Sequence, residues 1–128
     1  MGNSGEALRG RLDEAILDRF LDYAVRVTKL AAELDKLRCP PRITSQLVGS
    51  GTSPGAQMHE AHEAMSAAYF KKSVSIAAKE LSETRFWLCL VARMEWLPES
   101  RLSDLIDETV QLMKITKAMA ARTRGHRK

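Results

Sequence analysis

The chain has 128 residues, 45% of them hydrophobic and 28% charged, with a formal net charge of +4, which suits one domain that buries a core of its own without disulfide or metal staples. Cys39 and Cys89 stand apart with no CxxC or Cys/His spacing, nothing at the start resembles the apolar region of a signal peptide, and Glu6 stands where a myristoylation signal carries Ser or Thr. The longest apolar run, Phe86 to Ala92, is far shorter than the roughly 20 residues that cross a bilayer. The expectation is therefore a cytoplasmic protein with free thiols, no cofactor and no membrane contact. It forms one domain over residues 1–128, organised from about Leu12 to Ala121, with frayed ends at "MGNSGEALRG" and "RTRGHRK".

The first predicted element is a long helix from about Leu12 to Leu37. Ile16, Phe20, Tyr23, Val27, Leu30, Leu34 and Leu37 alternate steps of four and three and so draw one apolar seam. Pro40 and Pro41 stop it, because proline lacks the amide that continues the ladder and disfavours helical backbone in the residue before it.

Next comes "GSGTSPGAQMHEAHEA", Gly49 to Ala64. A phosphate loop would need GxxxxGK[ST] or GxGxxG, and neither is present. His59 and His62 share a helical face with the Glu60 and Glu63 pair nearby, a spacing that permits metal ligation. "HEAH" is, however, one residue short of HExxH, and no second helix supplies a Glu-x-x-His partner. Solvent-facing polar residues on a helix account for the pair more simply, and a metal-binding bundle through His59 and His62 stays as an alternative. Leu47, Gly49, Gly51, Gly55 and Ala56 carry little bulk, so a helix through them lets a neighbour approach closely, with a kink expected at Pro54.

The four-three stepping returns at Phe70, Val74, Ala77, Leu81, Thr84, Leu88 and Val91, and again at Leu102, Leu105, Thr109, Leu112, Thr116 and Met119. Pro98 and Glu99 of "EWLPES" suit the first turn of the last helix, and the short connection makes its neighbours antiparallel. No alternating strand pattern or hairpin turn competes. The third helix carries a second stripe of Ile76, Trp87, Leu90, Met94 and Leu97, more apolar surface than one core takes up, which marks a contact surface for self-association. After Glu108 there is no acidic residue, while Lys114, Lys117, Arg122, Arg124, Arg127 and Lys128 carry the whole positive excess. Such an end is a candidate contact for RNA or DNA phosphates, and equally what the negative pole of a helix dipole prefers.

Taken together, "TSPGAQMHEAHEA" and "AAYFKKSVSIAAKELSETRFWL" resemble the four-helix-bundle family of proteins associated with intervening sequences of 23S ribosomal RNA genes. Ser53, Gly55, Ala56, Gln57, Met58, Glu60 and Ala61 fall on its first string, and Phe70, Ile76, Ala77, Glu80, Glu83, Thr84, Trp87 and Leu88 on its second. The sequence departs from the pattern at Pro54, Gln57 and His59. The resemblance spans roughly Ile16 to Met119 and implies an all-α, up-down-up-down antiparallel four-helix bundle, commonly a homopentamer, with no known catalytic site. The accessory proteins of diversity-generating retroelements look similar in architecture, which adds a reverse transcriptase to the possible partners. The reading is thus a non-enzymatic oligomer that binds nucleic acid or acts as a scaffold through its basic end.

Overall fold

The computed structural model describes residues 12–125, with side chains as far as Arg122; the first end expected to fray lies outside the described residues, whereas residues 122–125 of the second continue the last helix, past the expected limit at Ala121. Four helices, α1 (Glu14–Lys36), α2 (Pro41–His62), α3 (Ala67–Arg93) and α4 (Ser103–Gly125), follow one another with one short 3-10 turn, Glu99–Arg101, before α4. Each helix packs on the next, and α4 meets α1 to close the bundle. Short connections between such neighbours make the arrangement up-down-up-down.

Local chemistry sets the ends of α1. Asp13 Oδ1 accepts the amide of Ile16 at 2.9 Å, and Glu14 lies beside the positive pole of the helix. At the far end Arg38 takes a left-handed φ of 63°, so that its own amide reaches the Asp35 carbonyl and the Cys39 amide reaches that of Leu34. This is a Schellman ending with arginine where glycine is usual. Leu37, expected in the seam, caps the helix and is 53% exposed, because the chain has left the helical path there. A second left-handed residue, Glu95 (φ 59°), ends α3, its amide reaching the Ala92 carbonyl at 3.1 Å. Pro98 does not open α4 as expected. It precedes the 3-10 turn, and α4 begins at Ser103.

The predicted seams of α1, α3 and α4 are buried from Phe20 to Leu34, from Phe70 to Val91 and from Leu102 to Met119. The fourth seam is unlike them. On α2 the buried positions Thr44, Leu47, Gly51, Pro54, Met58 and Ala61 keep the four-three stepping with hardly any bulk. A Cβ added at Gly51 would stand 2.5 Å from Val27 Cγ1, and one at Gly55 would stand 3.4 Å from the Phe20 carbonyl oxygen. The glycines thus bring α1 and α2 into close contact. α2 runs as one helix through Pro54, whose missing amide leaves the Ser50 carbonyl without its usual partner.

Gly49 differs from Gly51, since nothing lies within 4 Å of its added Cβ. Gly51→Ala should destabilise the protein by about 1–2 kcal/mol: Val27 is fully buried and stiff at χ1, and overpacking exceeds the helix-propensity gain of up to about 1 kcal/mol. Gly49→Ala should stabilise by up to about 1 kcal/mol. Urea unfolding of both variants checks the pair.

Candidate functional site

Inside the bundle, one hydroxyl from each helix meets in a single layer. Tyr23 OH of α1 lies 2.6 Å from Thr109 Oγ1 of α4, which itself donates to the Leu105 carbonyl at 2.7 Å. Thr84 Oγ1 of α3 shares its proton between Ser50 Oγ of α2 at 2.9 Å and the Glu80 carbonyl at 2.8 Å. Burial pushes the Tyr23 phenol up to about 12, against the opposing pull of Thr109 and Thr84. All four residues are almost completely buried. Closed off from solvent, these hydroxyls hold the four helices to one another.

The histidines of α2 do not converge on a metal centre. His59 Nδ1 lies 3.0 Å from the Gly55 carbonyl, Glu60 accepts the Tyr69 hydroxyl at 3.1 Å, and His62 Nδ1 is buried without a partner. Among the described residues, no group of three or more His, Cys, Asp or Glu side chains could hold an ion.

The outward surface of α3 is apolar, as its sequence implies. Ile76, Trp87 and Leu90 are half-buried, Met94 is 53% exposed, and Phe86 is 58% exposed with its ring edge-on to Trp87 at 5.0 Å. Trp87 Nε1 donates to Glu83 at 3.1 Å, which fixes the indole on the surface. Leu97 leaves this stripe: it lies beyond the left-handed Glu95, turns inward and joins the core.

The basic residues of α4 lie on its outer surface. Lys114, Lys117 and Arg122 are exposed, and no carboxylate among the described residues forms an ion pair with them. The side chain of Arg124, and Arg127 and Lys128 entirely, lie outside the described residues. Antiparallel packing brings the start of α3 to the same end of the bundle, and with it Lys71 and Lys72, which the reading of the sequence missed. The signal was there, because the first turn of α3 has no acidic residue to complement its dipole.

Two ion pairs tie α1 to the last part of the bundle, one to α4 and one to the 3-10 turn before it. Arg19 holds Glu108 through two bonds of 2.8 and 2.9 Å and keeps that carboxyl below the usual carboxylate range. Arg101 reaches Glu33 at 2.7 Å beside a notch of about 220 Å³ lined by Arg26, Lys29, Leu30 and Leu105. The notch contains no nucleophile paired with a base, and no helix among the described residues is long and apolar enough to cross a membrane.

The family model of the 23S rRNA-intervening sequence protein matches residues 13–118. The chain belongs to that family. A crystal structure of a protein of unknown function from the S23 ribosomal protein family of Bacteroides thetaiotaomicron is 30% identical, with a TM-score of 0.79. The match covers 82% of this chain and 97% of that one, so the four-helix arrangement is the family's own. No curated protein matches the chain.

The Tyr23 layer has a consequence at high pH. With a phenol at about 12 in the fold against 10.0 as its ordinary value, the unfolded chain loses the proton first. The stability contributed by Tyr23 is whole below pH 10 and is lost as pH rises toward 12. Tyr23→Phe should remove that share of the alkaline loss, while costing about 1 kcal/mol at neutral pH. Denaturant titrations of both proteins between pH 8 and about 11.5 compare the slopes.

Proposed function

We propose that the protein is a non-catalytic homo-oligomer, a pentamer as the family resemblance implies, that binds nucleic acid through phosphate contacts at its basic end. The observation that carries the reading is the acid-free stretch after Glu108, whose described cations, Lys114, Lys117 and Arg122, are exposed and not ion-paired among the described residues, beside Lys71 and Lys72. Repeated by symmetry, these side chains form a cationic rim that contacts phosphates without reading bases, and the sequence adds the charges of Arg124, Arg127 and Lys128 after them. The family's connection with 23S rRNA supports a nucleic-acid partner. Few aromatic residues are free to stack on bases, which favours backbone binding over single-strand base recognition.

Binding of this kind falls steeply with salt, because each neutralised phosphate releases counterions. Removing Arg122 to Lys128 deletes four positive charges per chain and spares the apolar seam up to Met119. The truncated protein should keep its helicity by circular dichroism and bind scrambled RNA or duplex DNA more weakly, with a shallower salt slope. Equal binding by both proteins in filter titrations at two salt concentrations would discard this end as the contact.

Self-association is the other half of the proposal, and its support is the α3 stripe of Ile76, Trp87, Leu90 and Met94. Leu90→Glu places an unpaired charge on that surface and should shift the assembly toward monomers. Sedimentation at matched concentrations reads the change in mass.

A further inference from the structure

Along α1, Arg19, Arg26 and Glu33 follow one another at steps of seven and so share one flank of the helix. The outer two each meet an opposite charge there: Arg19 holds both oxygens of Glu108 in α4, and Glu33 accepts one bond of 2.7 Å from Arg101 in the 3-10 turn. Arg26, between them, shares the notch with Leu105, and neither it nor Lys29 forms an ion pair among the described residues. Its charge reaches its surroundings all the same, since Arg26 helps to hold the Glu108 carboxyl low. An apolar side chain thus stands where the middle rung of a charge ladder would carry a carboxylate.

The notch has an apolar floor and a charged rim. Leu30 and Leu105 are buried, Arg26, Lys29 and Arg101 are exposed around them, and Glu33 is the one carboxylate among the described residues that line the space. Three cations against one anion leave two positive charges in excess. Asp104, next to Leu105 in the chain, is exposed and does not line the notch, while Lys36 adds to the positive field around Glu33. Arg19 commits its planar fork to Glu108, whereas Arg101 gives Glu33 one of its five N–H donors. Arg101 is thereby held beside the notch with its remaining donors open.

We propose that this notch is a phosphomonoester site, in which Arg26, Lys29 and Arg101 hold a terminal phosphate over the floor of Leu30 and Leu105. Two excess charges match a monoester, which carries about −1.5 to −2 near neutral pH, better than a phosphodiester with its single charge. Two guanidinium groups on separate elements suit a tetrahedral oxyanion, because each can offer parallel N–H bonds to a pair of its oxygens. At about 220 Å³ the space admits one phosphate group in place of a few waters. No aromatic ring lines it to stack on a base, so the recognised part is the phosphate, whether it belongs to a free nucleotide or ends a nucleic-acid strand. The site is separate from the basic end: α4 rises about 25 Å from Leu105 to Arg122, several screening lengths in physiological salt. The inference therefore does not depend on whether that end binds a polyanion.

The test titrates inorganic phosphate, and then adenosine monophosphate, into the isotopically labelled full chain at constant ionic strength, and follows the resonances of Arg26, Arg101 and Leu105. They should move and saturate at millimolar probe or below, while adenosine and chloride leave them in place. Arg26→Gln combined with Lys29→Gln should weaken binding about tenfold or more with helicity unchanged by circular dichroism, and removing Arg122 to Lys128 should leave it unaltered. Glu33→Gln should tighten binding by about three- to tenfold, because the amide oxygen still accepts from Arg101 while the repelling charge is gone; a purely structural ion pair would give no such gain. A short DNA strand that moves the same resonances only when it carries a terminal phosphate, and binds more tightly than the mononucleotide, assigns the site to strand ends, and a strand no better than the mononucleotide assigns it to free nucleotides. Shifts that chloride reproduces, that survive the double substitution, that vanish with the C-terminal truncation, or that a strand without a terminal phosphate produces equally well overturn the proposal, as does a Glu33→Gln protein that binds no more tightly.

Discussion

Four hydroxyl groups, one from each helix, fix the register of the whole bundle. Apolar seams with four-three stepping are periodic, and any helix could slide along its neighbour by two turns and bury a similar surface. The pairs Tyr23 with Thr109 and Ser50 with Thr84 remove that freedom. A slipped helix would leave a buried hydroxyl unpartnered, at a cost of about 1–3 kcal/mol for each group. Every height on the outer surface follows from this layer. The interior polar contacts and the exterior faces are in that sense one design.

Three of the four helices were legible in the sequence, because leucine, valine and aromatic side chains mark their buried positions. α2 was not legible in that way. Its seam has the same stepping, but Thr44, Gly51, Pro54 and Ala61 occupy most of it, and such residues register as turn formers or surface until a partner helix is known. Gly51 and Gly55 were readable as sites of close approach, whereas Gly49, on the opposite side, has the same local sequence signal and no neighbour. Arg38 and Glu95 could not be foreseen as left-handed residues, since a Schellman ending normally advertises itself with glycine.

The candidate surfaces divide in the same manner. The charge run after Glu108 and the Trp87 stripe lie on the chain as contiguous or periodic patterns, so a reader of the sequence meets them directly. Lys71 and Lys72 join the basic end only through antiparallel packing. The family's fold is clear from the likeness to a solved relative, but a fold alone does not carry an activity. With the buried polar atoms of the central layer paired among themselves, what this protein can do has to be sought on its outside.

Packing in chain order has a bearing on how the chain reaches this structure. α1 meets α2, α2 meets α3 and α3 meets α4, each across a connection of a few residues, and only the meeting of α4 with α1 spans most of the chain. Most contacts can therefore form as successive helical hairpins with little loop-closure entropy, the topology of chains that fold within microseconds to milliseconds. The Arg19–Glu108 and Arg101–Glu33 pairs belong to the one long-range seam. That seam, whose partners lie near opposite ends of the chain, is the last to have its loop-closure entropy offset.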